Sequence, residues 1–168
     1  MKQKEVKLDP KNKSLAEKMA NLVFTLRQKC AAKDMVFVRR LHITPAEFNC
    51  LLQFFNHDGL NVKDLAQRLH ITPGGVTRIV TSLEKKGILK REIAPNDRRG
   101  ILVSLTEKGK EVVYQIKHAS EELHGEILDK IEDEHREAIV FAVEQLIGAI
   151  DEWLKHQDIE SESMARMV

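Results

Sequence analysis

The chain has 168 residues, enough for one domain with helical extensions, and its 42% hydrophobic content and mixed charge are those of a globular protein. Aromatic residues make up only 5%, so the core rests on Leu, Ile, Val and Met. No stretch approaches the roughly 18 consecutive apolar residues of a membrane span. The lysine-rich start, 1–13, lacks the apolar segment of a secretory signal, so a cytoplasmic location with no membrane partner is expected. The net charge of +1 is unevenly spread. Residues 1–60 carry 11 Lys/Arg against 6 Asp/Glu, residues 61–110 carry 11 against 5, and residues 111–168 carry 5 against 15. A basic middle followed by an acidic tail half points to a surface built for a polyanion.

In chain order, Leu15, Met19, Leu22, Val23, Leu26 and Cys30 recur at spacings of three and four, which predicts an amphipathic helix over about 14–32. A short link, 33–42, carries Met35, Phe37 and the pair Arg39–Arg40. Thr44, Pro45 and Glu47 then form an N-cap, a first-turn proline and a capping box. The helix they open should bury Phe48, Leu51, Leu52 and Phe55 and stop at the turn 56–59. Asn61 caps a short helix with Asp64 in its first turn, and Thr72 with Pro73 starts another that ends at Gly87. Two short helices joined near His70–Ile71 fit helix-turn-helix geometry. Residues 88–93 and 101–105 read as strands around a polar, basic turn, 94–100, which makes a β-hairpin. Two long helices follow, from Thr106 to about Lys130 and from about 132 to 155, the second with Ile139, Val143, Leu146, Ile147, Ile150 and Trp153 on its apolar side. No internal repeat or low-complexity tract stands out.

The order helix, helix-turn-helix, hairpin, helix predicts a mainly α fold with a small β-hairpin wing (α+β), a winged helix-turn-helix. A recognition helix over 72–86 would enter a major groove, with Thr72, Thr77 and Arg78 placed to meet base edges and Val76, Ile79, Val80 and Leu83 turned to the core. Arg78 suits the O6 and N7 of guanine, or equally a phosphate. Lys63, Arg68, Lys85, Lys86 and Lys90 suit phosphates.

Between Ile43 and Lys110 the sequence resembles the MarR (multiple-antibiotic-resistance regulator) family. The resemblance is carried by DLA at 64–66, VTRIVTSLEKKGILKR at 76–91, DRR at 97–99 and LTEKG at 105–109. It implies a homodimeric bacterial transcription regulator that binds double-stranded DNA, with a palindromic operator and a repressor role relieved by a small molecule. It divides the chain into an N-terminal tail and dimerisation helix (1–42), a DNA-binding lobe (43–105), C-terminal dimerisation helices (106–156) and a tail (157–168). Asp97 and Arg99 match the family's wing element, in which the arginine enters the minor groove and the aspartate braces it; Arg98 would contact phosphate.

The family's effector region maps onto Phe24, Arg27, Phe37, Arg39, Arg40 and His42, where an arginine pair beside aromatics could hold a small aromatic or phenolic ligand; the alternative is a basic, DNA-facing or solvated surface. Oxidant sensing through Cys30 or Cys50, known in the family, stands against their reading as core residues. Paired side chains at His118–Glu122 and Glu121–His124 lack a third ligand, so no metal site and no cofactor is expected. A redox- or metal-responsive regulator of the same fold, or a winged-helix interaction module without DNA binding, are the alternatives. No GxSxG, Walker loop or HExxH is present, so no enzymatic activity is expected.

Overall fold

A computed structural model of the protein describes residues 10–94 and 97–165, with side chains over 12–93 and 101–157. The elements are α1 (Pro10–Arg40), α2 (Pro45–Leu52), β1 (Gly59–Asn61), α3 (Val62–Leu69), α4 (Pro73–Lys85), β2 (Leu89–Ala94), β3 (Asp97–Leu105), α5 (Glu107–Leu128) and α6 (Asp133–Ala165). The chain divides into two compact units between Lys117 and His118. The mainly helical fold with a small antiparallel sheet is the winged helix-turn-helix expected from the sequence.

The first helix is longer than its apolar period suggested. It continues through 33–40, where a link was expected, because that stretch contains neither Gly nor Pro to stop it. It stops at His42, whose φ of 52° is left-handed. His42 N–H donates to the Arg39 carbonyl at 3.3 Å and Ile43 N–H to that of Val38 at 3.2 Å, which is a Schellman close. The same close recurs at His70 (φ 52°), with His70 N–H on Gln67 and Ile71 N–H on Ala66. A third is at Gly87 (φ 70°), where Gly87 N–H meets Glu84 and Ile88 N–H meets Leu83. Two of these corners share the pentapeptide Leu-His-Ile-Thr-Pro, at 41–45 and 69–73. It is a short internal repeat that the sequence reading passed over: it ends one helix on a left-handed histidine, then caps the next with threonine and proline.

Thr44 and Glu47 close the expected capping box. The Asn61 side chain accepts the Asp64 N–H at 2.8 Å and donates to its carboxylate at 2.7 Å, which fixes the start of α3. In the first unit, Leu51, Leu65, Val76, Val80, Leu83, Val103 and Ile116 are buried together with Phe48 and Phe54. Phe54 takes the buried position assigned above to Phe55, because α2 ends at Leu52 and the turn after it changes which side chains point inward. The sheet has the order β1-β3-β2, with Leu60 opposite Val103 and Glu92 opposite Leu102. The strand β1 is only three residues long and was not foreseen, Gly59 having been read as the end of a turn and Asn61 as a helix cap; its partner lies more than 40 positions away, beyond any local signal.

In the second unit, Arg136 braces the α5–α6 turn by donating to the Ile131 carbonyl at 3.0 Å and pairing with Asp133 and Asp129. Helix α6 runs to Ala165, past the expected end near 155. Its apolar positions Ile139, Val143, Ile147, Ile150 and Trp153 are exposed. On α1, Leu15, Met19, Leu22 and Leu26 are exposed as well.

Candidate nucleic-acid interface

The helix α4 opens on Thr72, whose Oγ1 accepts the Gly75 N–H at 3.2 Å, with Pro73 in the first turn. Val76, Val80 and Leu83 point inward, while Thr72, Pro73, Gly74, Thr77 and Arg78 are exposed. A Cβ on Gly74 would meet no atom closer than 4.0 Å, so packing within the protein does not require glycine there. The small residue leaves an external partner room to approach the positive end of the helix. Thr77 Oγ1 donates to the Pro73 carbonyl at 2.9 Å, which commits its hydrogen to the helix. Arg78 is therefore the one long polar side chain in the exposed N-terminal half of α4.

The cations expected to bind phosphate separate into groups. Lys63 and Arg68 are exposed on α3, and Lys85 is exposed at the end of α4. Lys90 is exposed but pairs with Glu92 at 2.7 Å. Lys86 is turned inward: its Nζ lies 2.7 Å from Glu47 Oε2 and donates to the His42 carbonyl at 3.2 Å, so its ammonium is occupied within the protein. The side chains of Asp97, Arg98 and Arg99 lie outside the described residues. Arg91, absent from the sequence-based set, donates to the Thr77 carbonyl at 2.9 Å and Thr81 Oγ1 at 2.7 Å and pairs with Glu84 at 3.2 Å. Strand alternation was the available signal, because it places Lys90 and Arg91 on opposite faces and only one of them can turn toward the helix.

Glu47 links the lobe's first helix to the end of α4. Its carboxylate is 2% exposed, and Oε1 has no hydrogen-bond partner. Burial opposes ionisation, but Lys86 and the Thr44 N–H outweigh it, and the Ser82 hydroxyl helps without closing a well-formed bond, so the group titrates below its usual 4.5. A carboxyl with a lowered folded pKa contributes stability that is complete above about pH 4.5 and is lost as the pH falls through the folded value. Thermal melts from pH 7 to pH 3 should show this acid loss, and Glu47→Gln should lower the neutral-pH melting temperature while flattening the acid limb. An unchanged acid limb in that variant would remove Glu47 from the account.

The LTEKG segment explains itself in the structure. Thr106 Oγ1 donates to the Gly87 carbonyl at 2.6 Å and accepts the Gly109 N–H at 3.0 Å, while Thr106 N–H donates to the Ile88 carbonyl at 3.0 Å. One threonine thus ties the end of the recognition helix to the start of α5.

The six residues expected to form an effector site do not gather. Phe24 is exposed with Arg27 over its ring at 5.8 Å, whereas Phe37 is buried and stacked on Phe48. The two phenylalanines lie 13 positions apart on α1, about 20 Å along the helix. Arg39 and Arg40 are exposed at the end of α1. His42 instead lines a cavity of about 460 Å³ with Leu41, Ile43, Lys85, Lys86, Ile88, Lys108 and Val112.

The redox reading fails for Cys50. Burial, then the charge of Glu47, pushes its thiol up to about 12, so little thiolate exists at neutral pH. Cys30 is exposed. His118 sits 3.5 Å from Glu122, and His124 Nδ1 lies 2.6 Å from the Ser120 carbonyl. Among the described residues the one cluster with metal-ligand spacing is Glu132, Glu134 and His135, all exposed. No described helix is long and apolar enough to cross a membrane.

A recognition helix with a bare N-terminal half, set beside a two-stranded hairpin, defines a winged helix-turn-helix DNA-binding protein. Residues 43–101 match the model of the MarR family. An HTH-type transcriptional regulator of Bacillus cereus is 29% identical over 105 residues, which cover 62% of this chain and 69% of the relative. The crystal structure of wild-type MarR in its apo form from E. coli superposes with a TM-score of 0.65 at 25% identity, over 76% of this chain and 95% of that one. A MarR family protein from Bacillus stearothermophilus reaches 0.74 at 17% identity, over 83% and 97%, a likeness of fold. Over residues 43–101 the chain is thus similar to the MarR family, and over most of its length it shares the fold of that family's solved structures.

Proposed function

We propose that the protein is a cytoplasmic homodimer that binds a palindromic operator and represses transcription until a small molecule releases it. The observation that carries the DNA-binding part is the exposed start of α4: Thr72, Thr77 and Arg78 face outward while Val76, Val80 and Leu83 hold the same helix to the core. Lys63, Arg68 and Lys85 flank it for phosphate, and Asp97, Arg98 and Arg99 extend the contact from the wing. Two copies related by a two-fold axis would read half-sites about 34 Å apart. Exposed apolar stripes on α1 and on α6 supply surfaces for such pairing.

The cavity around His42 favours one form of the effector reading. Its lining is aliphatic apart from His42, Lys85, Lys86 and Lys108; Lys86 is paired with Glu47 and Lys108 donates to the Lys86 carbonyl, and the α4 C-terminus adds roughly half a negative charge. It therefore keeps a positive balance suited to an apolar anion, and its size falls in the range of ligand sites, about 300–1,000 Å³.

Arg99→Ala tests the wing. Anisotropy titrations should show operator affinity falling about tenfold or more with the oligomer intact, as expected for losing one good groove contact. Unchanged affinity would remove Arg99 from the interface.

A further inference from the structure

Arg91 reaches from β2 across the flank of α4 and touches three points spaced along it: the Thr77 carbonyl, Thr81 Oγ1 and the Glu84 carboxylate. Residues 77, 81 and 84 follow one another at helical spacing, so the guanidinium grips about two turns of the recognition helix. One turn earlier, Thr77 Oγ1 is tied to Pro73, and Arg78 projects next to the gripped carbonyl.

Only the base of the hairpin is anchored by burial, through Leu89 at 2% exposed and Val103 at 0%; Arg91 lies further out than Leu89. β2 is an edge strand, Ile93 is 73% exposed, and its cross-strand partner Ile101 is 48% exposed. Among the described residues no other side-chain hydrogen bond or ion pair joins β2 to α4. The described outer positions of the hairpin, Ile93 and Ile101, therefore supply no apolar anchor of their own.

We propose that Arg91 is a positioning residue for sequence recognition: it sets the separation and twist between the recognition helix and the wing, so that both reach their grooves together. The inference rests on the reading that α4 and the wing contact DNA. Arg91 itself, occupied by three partners on the protein, is not a phosphate ligand. A lysine cannot replace it, because a single ammonium cannot meet three acceptors fixed in the fork of a guanidinium.

The test compares wild type, Arg91→Lys, Arg91→Met, Arg99→Ala and the double variant Arg91→Met/Arg99→Ala on a preferred and a scrambled duplex. Both Arg91 variants should lose about tenfold or more in affinity for the preferred duplex and less than about twofold for the scrambled one, with melting temperature close to wild type. In the Arg99→Ala background the Arg91 penalty should largely vanish, because both act through the wing. An equal loss on both duplexes, with the log–log salt slope reduced by about 0.9, would make Arg91 a phosphate contact and overturn the proposal. Penalties that simply add would overturn it too, as would unchanged affinity for the preferred duplex. Amide hydrogen exchange of the free protein is the DNA-independent arm: Arg91→Met should speed exchange in β2 and β3 relative to α3 and α4. Unchanged exchange there refutes the clamp. A wild type that does not distinguish the duplexes refutes the DNA-binding reading instead.

Discussion

Gly109→Ala should destabilise the protein by about 3 kcal/mol or more, the upper range for forcing a methyl group into a packed site. A Cβ built on Gly109 would lie 2.1 Å from the Ile88 carbonyl oxygen and 3.1 Å from Leu105 Cδ2. The first of these atoms is backbone, held in place by the Thr106 N–H, so it cannot swing aside as a side chain would. Relief requires α5 to move away from the end of the recognition helix, which strains the Thr106 bonds to Gly87 and Gly109. For a protein of this size the cost corresponds to a melting temperature lower by roughly 6–12 °C. Gly125→Ala is the control on the same helix: a Cβ there meets nothing within 4 Å, and alanine is the better helix former, so its melting temperature should hold or rise. Equal melting temperatures for Gly109→Ala and wild type would contradict a role for the close approach at Ile88.

Trp153→Asp should separate the proposed dimer and abolish operator binding in one step. Trp153 is 60% exposed in the single chain and continues the stripe of Ile139, Val143, Ile147 and Ile150 on α6. An apolar row of that length has little reason to face water, and a second copy of the same stripe is its natural cover. Removing a buried tryptophan anchor costs about 2 kcal/mol or more, and a carboxylate left without a partner adds to it. A total of about 4 kcal/mol raises the dimer dissociation constant roughly a thousandfold. Light scattering should report a monomer, and the paired half-site contacts should be lost with it. A Trp153→Asp variant that stays dimeric would place the interface elsewhere.

Much of the lobe was legible because its signals are local. Thr44, Asn61 and Thr72 mark helix starts through their own side chains, and Gly87 marks a stop through its left-handed φ. What the sequence hid depends on distant partners. Lys86 looks like any exposed lysine until Glu47, 39 positions away, is seen to hold it. Arg91 owes its role to a strand lying against a helix, and β1 to pairing with β3. His42 and His70 end their helices in a conformation usually left to glycine; the joint at His70–Ile71 was legible, but without a Gly to mark it the stop at Leu41 was not. The effector residues were placed by a different route. A motif transferred along one helix says nothing about which of its residues share a face, and Phe24 and Phe37 do not meet.

Fluorescence anisotropy of the purified protein on DNA from upstream of its own gene, against a scrambled duplex of equal length, tests the central claim most directly. The account predicts saturable, preferential binding to the upstream DNA that weakens steeply with salt, by a log–log slope of about −0.9 for each phosphate neutralised. Equal, weak binding to both duplexes would contradict an operator at that site.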